Sequence, residues 1–436
     1  MEEKEQVKTT AVKGTDMARK VRGLVKQIYQ SAHEAKQTGK KVAYFMVASQ
    51  YDEIVRAMDV VPVPTENYAG LCAAKRDMDR FLLKAEADGY SQVLCSYVRI
   101  GLGFDSLRKE LGDIPENSPD GGMPEPDMML GSSAVCDPRY KWFQAAGRYL
   151  QVPTFSIDCV IPPVHADLKE VRDYYIQYQK EQLELLVKFL EEQTGKKMDR
   201  ERLWETIRLS DEAYRLWYEI DRLRVAVPGP MPTQDHFNIM VPSYYYSGTQ
   251  IATDFYQDLY HEVKSKVEKK IGVVPDEKYR VLYGGGLPPW HTLWIFNYFE
   301  SFGAVFVMEN VYRGSDPVEV PEHVKDPLEY LAWRYYLRYT QRHEKARNNS
   351  GSPAVERLLG YISDYKIDGV VFHACRSCRA TTVGQVHSKN LLGEFTDIPM
   401  MQLVSDMVDL RDYSEAQWKA QIGAFIDALA GRKTQQ

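Results

Sequence analysis

GVVFHACRSCRATTVGQVHSKNLLGEFTDIPMMQLV, residues 369–404, decides how this chain folds. GVVFHAC (369–375) is a short continuous apolar run, the pattern of a strand covered on both faces. Residues 381–394 have helical spacing, and IPMMQLV (398–404) is a second apolar run. Strand, helix, strand at this spacing is a parallel crossover unit. The same alternation continues outward. Upstream, YRVLYGGG (279–286) is a strand entering a glycine turn, 290–303 a helix, AVFVMEN (304–310) a strand and 354–368 a helix. Downstream, 414–430 is a closing helix.

The N-terminal half repeats the alternation. A charged helix over 16–40 precedes the strand KVAYFMV (41–47), the helix DEIVRAM (52–58) and the strand VVPVPTE (60–66). Helical spacing follows over 72–88, then a short strand, SQVL, before Cys95. Residues 111–126 are rich in Pro, Gly, Asn and Asp and read as a loop. DMMLGSSA (127–134) and PTFSI (153–157) are strands with a helix between them. Between the halves, two amphipathic patterns at 166–193 and 199–224 have no strand between them, and the Pro- and Tyr-rich 228–250 reads as an ordered loop. The expected fold is α/β, with two Rossmann- or flavodoxin-like parallel-sheet lobes and a helical middle. The expected divisions are an N-terminal helical segment (1–40), a first lobe (41–165), a helical connecting segment (166–275) and a second lobe (276–436).

Composition removes several function classes. A net charge of -6 without a basic stripe argues against nucleic acid. The polar N-terminus MEEKEQVKTT has no apolar core, and no stretch reaches the ~18–20 apolar residues of a membrane span. A cytoplasmic protein with no membrane association is expected. Six cysteines in 436 residues are too few for a disulfide scaffold and suit metal ligands, redox residues or buried hydrophobes.

In open parallel sheets ligands bind beyond the carboxyl ends of the strands. All six cysteines fall at such predicted ends: Cys72, Cys95, Cys136, Cys159, Cys375 and Cys378. Zinc sites usually use paired local motifs, and only one C-x-x-C is present, at 375–378. That dithiol alone suits thioredoxin-like chemistry, with Arg376 and Arg379 lowering a thiol pKa, but leaves Cys95 and Cys136 without a role. An iron–sulfur cluster draws thiolates from distant loops, and it leads on spacing.

Four stretches then carry a resemblance: CSYVRIGLG (95–103), CDPRYKWFQAAGRYLQVP (136–153), RSCRATTVGQ (376–385) and DMVDLRDYS (406–414). In order and spacing they resemble the benzoyl-CoA reductase and 2-hydroxyacyl-CoA dehydratase family, nearest to the B-type (O-type) subunit of ATP-dependent benzoyl-CoA reductases. The resemblance implies a 4Fe-4S cluster on Cys95, Cys136 and Cys378, with Cys378 filling the cysteine place of Arg-Ser-Cys. It implies reduction of an acyl-CoA thioester driven by a separate ATP-hydrolysing iron–sulfur activator, in a dimer with itself or a related subunit. Redox-neutral dehydration of a 2-hydroxyacyl-CoA is the alternative within the family. The extra Cys72, Cys159 and Cys375 also resemble the double-cubane branch, whose 8Fe-9S cluster reduces small molecules in a homodimer.

Other residues are candidates for the same site. The chain has no G-x-x-x-x-G-K-[ST] and so no phosphate loop of its own. YGGGLPPWH (283–291) turns tightly and would aim Trp290 and His291 at the cleft between lobes, with His291 as a proton donor or a capping residue. His373 is either a hydrogen-bond donor to a cluster sulfur or a satisfied core residue. Tyr244, Tyr245 and Tyr246 suit a pocket wall, and Arg99 and Arg379 suit either charge compensation or solvent.

Overall fold

The structure, a computed structural model, describes residues 11–46, 51–313 and 316–435. The decapeptide 1–10 and Val47 of the first apolar run lie outside these. The first lobe runs α1 (Asp16–Gln37), β1 (Val42–Phe45), α2 (Asp52–Ala57), β2 (Val61–Pro64), α3 (Thr65–Ala74), α4 (Asp79–Ala87), α5 (Ser96–Leu111), β3 (Met128–Ser132), α6 (Asp137–Leu150) and β4 (Thr154–Ile157). Four helices follow: α7 (Leu168–Thr194), α8 (Arg200–Leu223), α9 (Thr233–Tyr245) and α10 (Gln250–Glu268). The second lobe begins with β5 (Tyr279–Gly285), α11 (Ile295–Glu300), β6 (Ala304–Glu309), α12 (Pro327–Thr340), α13 (His343–Asn348) and α14 (Pro353–Asp364). It ends with β7 (Gly369–Cys375), α15 (Arg379–Thr382), α16 (Gln385–Gly393), β8 (Met400–Ser405) and α17 (Glu415–Gln435).

The two parallel sheets have the orders β2-β1-β3-β4 and β6-β5-β7-β8. These are the same order, the first four places of the flavodoxin-like arrangement. Ala43 lies opposite Pro62 and Met128, and Val370 opposite Leu282 and Met400. Pro62 and Pro64 are tolerated because β2 is an edge strand that need not donate on its outer side. In each lobe the strand order reverses between the first and third strands, which opens a crevice at β1/β3 and at β5/β7.

Alternate side chains of each strand enter different cores. Tyr44 and Met129 face the cluster shared with α1, α5 and α6, and Ala43, Phe45, Met128 and Leu130 face α2, α7 and α8. In the second lobe Tyr283, Phe306 and Val371 face α11 and α17, and Leu282, Val305 and Val370 face α14 and α16. All seven positions of β7 are buried, which explains its unbroken apolar run.

Several expectations change. Residues 228–250 are not a loop, because α9 occupies 233–245 and contains Pro242. Nearly every α9 side chain is buried, so the helix shows no polar face and no period for a sequence pattern to reveal. The pattern over 72–88 is two helices, α3 and α4, broken at Arg76, which has φ 59°. No strand precedes Cys95: residues 91–94 form a turn with Val93 and Leu94 exposed, away from any sheet. The helix expected over 290–303 is only α11, delayed by the turn after Pro288 and Pro289. The sequence pattern assigns no helix to α5, α12 or α13, and α10 falls within the helical segment 166–275 without a pattern of its own.

Candidate functional site

Three helices begin at cysteines. Cys95 is the N-cap of α5, Cys136 of α6 and Cys378 of α15. At α1, α7, α8, α12 and α14 the caps are oxygens: Thr15, Asp167, Asp199, Asp326 and Ser352 each accept a first-turn amide. At the three cysteine caps the first-turn N–H groups and the positive end of each helix face the thiols. The approach to Cys136 is strained. Val135 is a β-branched residue at φ 77°, a conformation such residues rarely adopt.

Cys95, Cys136 and Cys378 line one cavity of about 400 Å³ between the lobes. Two of them come from the first lobe and one from the second. Burial pushes the Cys95 thiol well above its ordinary value; the Val98 amide opposes this, and Cys378 and Cys136 push it further up. Burial raises Cys136 to about 11 against the Arg139 amide and guanidinium. Burial also raises Cys378, whose sulfur accepts from the Thr381 hydroxyl at 3.2 Å. Three mutually repelling, desolvated thiols are poor acids alone, but their sulfurs converge as ligands for a cationic centre that would displace the protons. This donor set, all sulfur with helix N-termini behind it, fits an iron–sulfur cluster.

Polar contacts lock the two lobes together around the cysteines. The Ser96 amide donates to Ser377 Oγ at 3.1 Å, and the Ser377 hydroxyl donates to Asp406 Oδ2. Asp406 Oδ2 also accepts the Ser377 amide at 3.2 Å, and its Oδ1 accepts the Val408 and Asp409 amides. Asp406 therefore fixes the 375–378 loop against the start of α5. Arg99 is buried rather than solvated, bonded to Glu86 at 2.8 Å and to Asp409 of the other lobe at 3.1 Å. Arg379 meets Asp137 at 2.5 Å, linking the residues that follow Cys378 and Cys136. Asp406 and Ser377 lie inside motifs that drew attention through their cysteines and aspartates, but no spacing announced their contact.

The other three cysteines do not line the cavity. Cys375 is buried beside it, 3.9 Å from Asp406 Oδ2, and Cys378 and Cys95 help keep its thiol protonated after burial and Asp406. Cys72 sits in the last turns of α3, fully buried in the first-lobe core, and not at a strand end. Cys159 follows β4, 3.7 Å from Ser132 Oγ, against the core on the other face of the first sheet.

His291 is fully buried, with Nε2 2.9 Å from the Asp406 carbonyl, and it is absent from the cavity wall. His373 donates from Nδ1 to the Leu287 carbonyl at 2.5 Å and accepts from the Ser405 hydroxyl at 2.9 Å. It bonds no sulfur. Trp290 donates from Nε1 to the Tyr97 hydroxyl, and Tyr97 and Tyr312 are 3.4 Å apart. Tyr97, Tyr312 and Glu66 separate the cysteine cavity from an apolar chamber of about 280 Å³ that Phe237, Trp290 and Leu293 line. Tyr244 faces the first cavity and Tyr245 the second, whereas Tyr246 bonds the Leu24 carbonyl.

Away from the cysteines, Asp221, His236 and Glu309 bring ligand atoms within 4.8 Å of one another. There Arg224 already donates to both Glu309 oxygens at 2.7 Å, so the cationic place is taken by a side chain.

Residues 50–429 match the family described as 2-hydroxyglutaryl-CoA dehydratase, D-component. This chain belongs to that family. Among its relatives is the (R)-phenyllactyl-CoA dehydratase alpha subunit of Clostridium sporogenes, 28% identical over 92% of this chain and 93% of the relative. The (R)-2-hydroxyisocaproyl-CoA dehydratase alpha subunit of Clostridioides difficile is 27% identical over 95% and 96%. A benzoyl-CoA reductase subunit from Thauera aromatica is 25% identical over 93% of each chain. The D-component family thus joins dehydratase and reductase subunits that act on CoA thioesters. Its matched span includes all six cysteines and most of both lobes. Among the described residues no helix is long and apolar enough to cross a membrane.

Proposed function

We propose that this chain is the cluster-bearing subunit of an acyl-CoA dehydratase, working with an ATP-hydrolysing activator and a second, related subunit. The observation that carries the reading is the convergence of Cys95, Cys136 and Cys378, from both lobes, on one cavity. Bound by these three thiolates, a 4Fe-4S cluster would supply a low-potential electron and one iron without a protein ligand. The chain's own residues do the rest. The starts of α5, α6 and α15 offset negative charge on the sulfurs. Glu66 and Arg139, 3.2 Å apart in the cavity wall, stand where a substrate hydroxyl can take up or give a proton. Tyr97, Tyr312 and Trp290 close the apolar side against water.

The polar wall favours a 2-hydroxyacyl thioester, which must expel its hydroxyl. The adjoining aromatic chamber favours the second reading, reduction of an aromatic thioester of the benzoyl type. The double-cubane reading has less support, because Cys72 and Cys159 lie in separate cores. Anaerobic purification should give about four irons and four sulfides per chain. With the related subunit, activator and ATP, the protein should dehydrate a 2-hydroxyacyl-CoA over many turnovers per electron supplied. Stoichiometric electron consumption on benzoyl-CoA would select the reductase reading, and an iron-free chain would end both.

A further inference from the structure

The cysteine cavity does not end at its own wall. A groove of about 470 Å³ adjoins it, and both share Arg313, Asp316, Arg342 and Arg357. The groove's other side carries Arg222 and Lys345, with side chains 54% and 67% exposed, so it forms the outward end of the passage. At the neck three guanidinium groups surround one carboxylate, and two of them bond it. Asp316 Oδ1 is 3.5 Å from Arg313 Nη1, and Asp316 Oδ2 contacts Arg342 Nη2. Arg313 has further help from Asp221 at 3.3 Å and lies over the Tyr361 ring.

Arg357 has none. Among the described residues it donates no hydrogen bond and has no carboxylate within 4.0 Å, and its Nε is buried without a partner. Burial, Arg342 and Arg313 all work against its charge, and Tyr361 and Asp316 only partly offset them. Arg338, farther along the same wall, is in a similar position: its Nε is also orphaned, and Asp211 is 3.9 Å away. A fold that leaves a half-buried arginine without a bonded anion has left room for one to arrive. The guanidinium fork matches the oxygens of a phosphate better than any other side chain does.

We propose that Arg342 and Arg357 bind phosphate groups of the acyl-CoA substrate, holding its nucleotide end at the neck while the thioester extends to the cysteines. This rests on the thioester reading above and adds where the carrier is gripped. Position selects phosphate over a substrate carboxylate. A carboxylate on a short acyl group stays close to the thioester carbonyl, at the cysteine end. The phosphates are separated from the sulfur by the pantetheine arm and fall at the outward end, where the arginines are.

The test is calorimetric titration of the anaerobically purified protein with free CoA, adenosine 3′,5′-bisphosphate and glutarate. Wild type should bind CoA and the bisphosphate, more weakly as salt rises. Arg357→Gln and Arg342→Gln should each weaken both by about tenfold or more, Arg357→Lys by less, with iron content unchanged. CoA affinity unaltered in both glutamine variants would overturn the proposal. So would a wild type that binds no CoA, or variants in which only glutarate affinity falls. An iron-free wild type whose bisphosphate affinity still falls in Arg357→Gln keeps the phosphate site and removes the cluster reading. An iron-loaded, active enzyme with arginine-insensitive CoA affinity removes the phosphate site alone.

Discussion

Cys378 and Cys72 are both buried thiols with raised pKa values, yet they have different surroundings. Cys378 caps α15 at a cavity shared with two other thiols. Cys72 sits among the aromatic and aliphatic side chains of the first-lobe core, where burial is the main cause of its shift and Asp77 the next. Single serine substitutions separate the roles. Cys95→Ser, Cys136→Ser and Cys378→Ser should each lose most bound iron and the visible absorbance that goes with it. Cys72→Ser should keep its iron and lose only ~1 kcal/mol of stability, from the polar group placed in an apolar core. Iron lost from Cys72→Ser with the fold intact would speak for a larger cluster. At this scale the cysteines were legible, because a thiol's chemistry is visible in its letter. The arginines of the neck were not. Arg342 and Arg357 look like ordinary surface charge in sequence, and only the fold shows that, among the described residues, Arg357 has no carboxylate within 4.0 Å.

Helices and strands were legible where a period survives. The apolar runs of β1, β3, β5, β6 and β7 and the amphipathic stripes of α1, α7 and α8 are all present as expected. The period vanishes in α9, buried all round, and α9 was missed for that reason. The strand expected before Cys95 failed differently: SQVL has the composition of a strand but no sheet neighbour. Cys95 is placed by α5, and α5 is placed by α4 through Gly103, where a Cβ would lie 1.9 Å from the Phe81 carbonyl oxygen. Backbone cannot yield as a side-chain tip can, so Gly103→Ala must push α5 off α4. The expected cost is about 1–3 kcal/mol in urea unfolding. The displaced N-terminus of α5 should also lower iron occupancy, an effect that Gly147→Ala, with nothing within 4 Å of its Cβ, should not produce. Equal iron in both variants would mean that Cys95 does not depend on this packing.

The lobes join through buried polar groups, so the stability of the whole molecule must respond to acid. Its buried ionisable groups pull in opposite directions. Burial pushes Asp52 up to about 7 and Asp105 to about 6. The folded state takes up those protons first, so both groups favour folding as pH falls. Burial pushes His291 down to about 4, with the Asp406 carbonyl opposing it. Here the unfolded chain takes up its proton first, below its ordinary value of about 6.5. The contribution of His291 is therefore intact above pH ~6.5 and is lost as pH falls towards 4, at about 1.4 kcal/mol per pH unit. The opposing aspartates hide this in the wild-type profile alone, so the comparison that isolates it is with His291→Gln. Glutamine can still donate to the Asp406 carbonyl but cannot titrate. The free-energy difference between the two proteins should be flat from pH 8 to 6.5. It should then move in favour of His291→Gln by about 3 kcal/mol by pH 4. A flat difference across the whole range would mean that water reaches His291 and protonates it in place, and that the loop from Ser405 to Asp409, which holds the lobes around the cysteines, opens without unfolding.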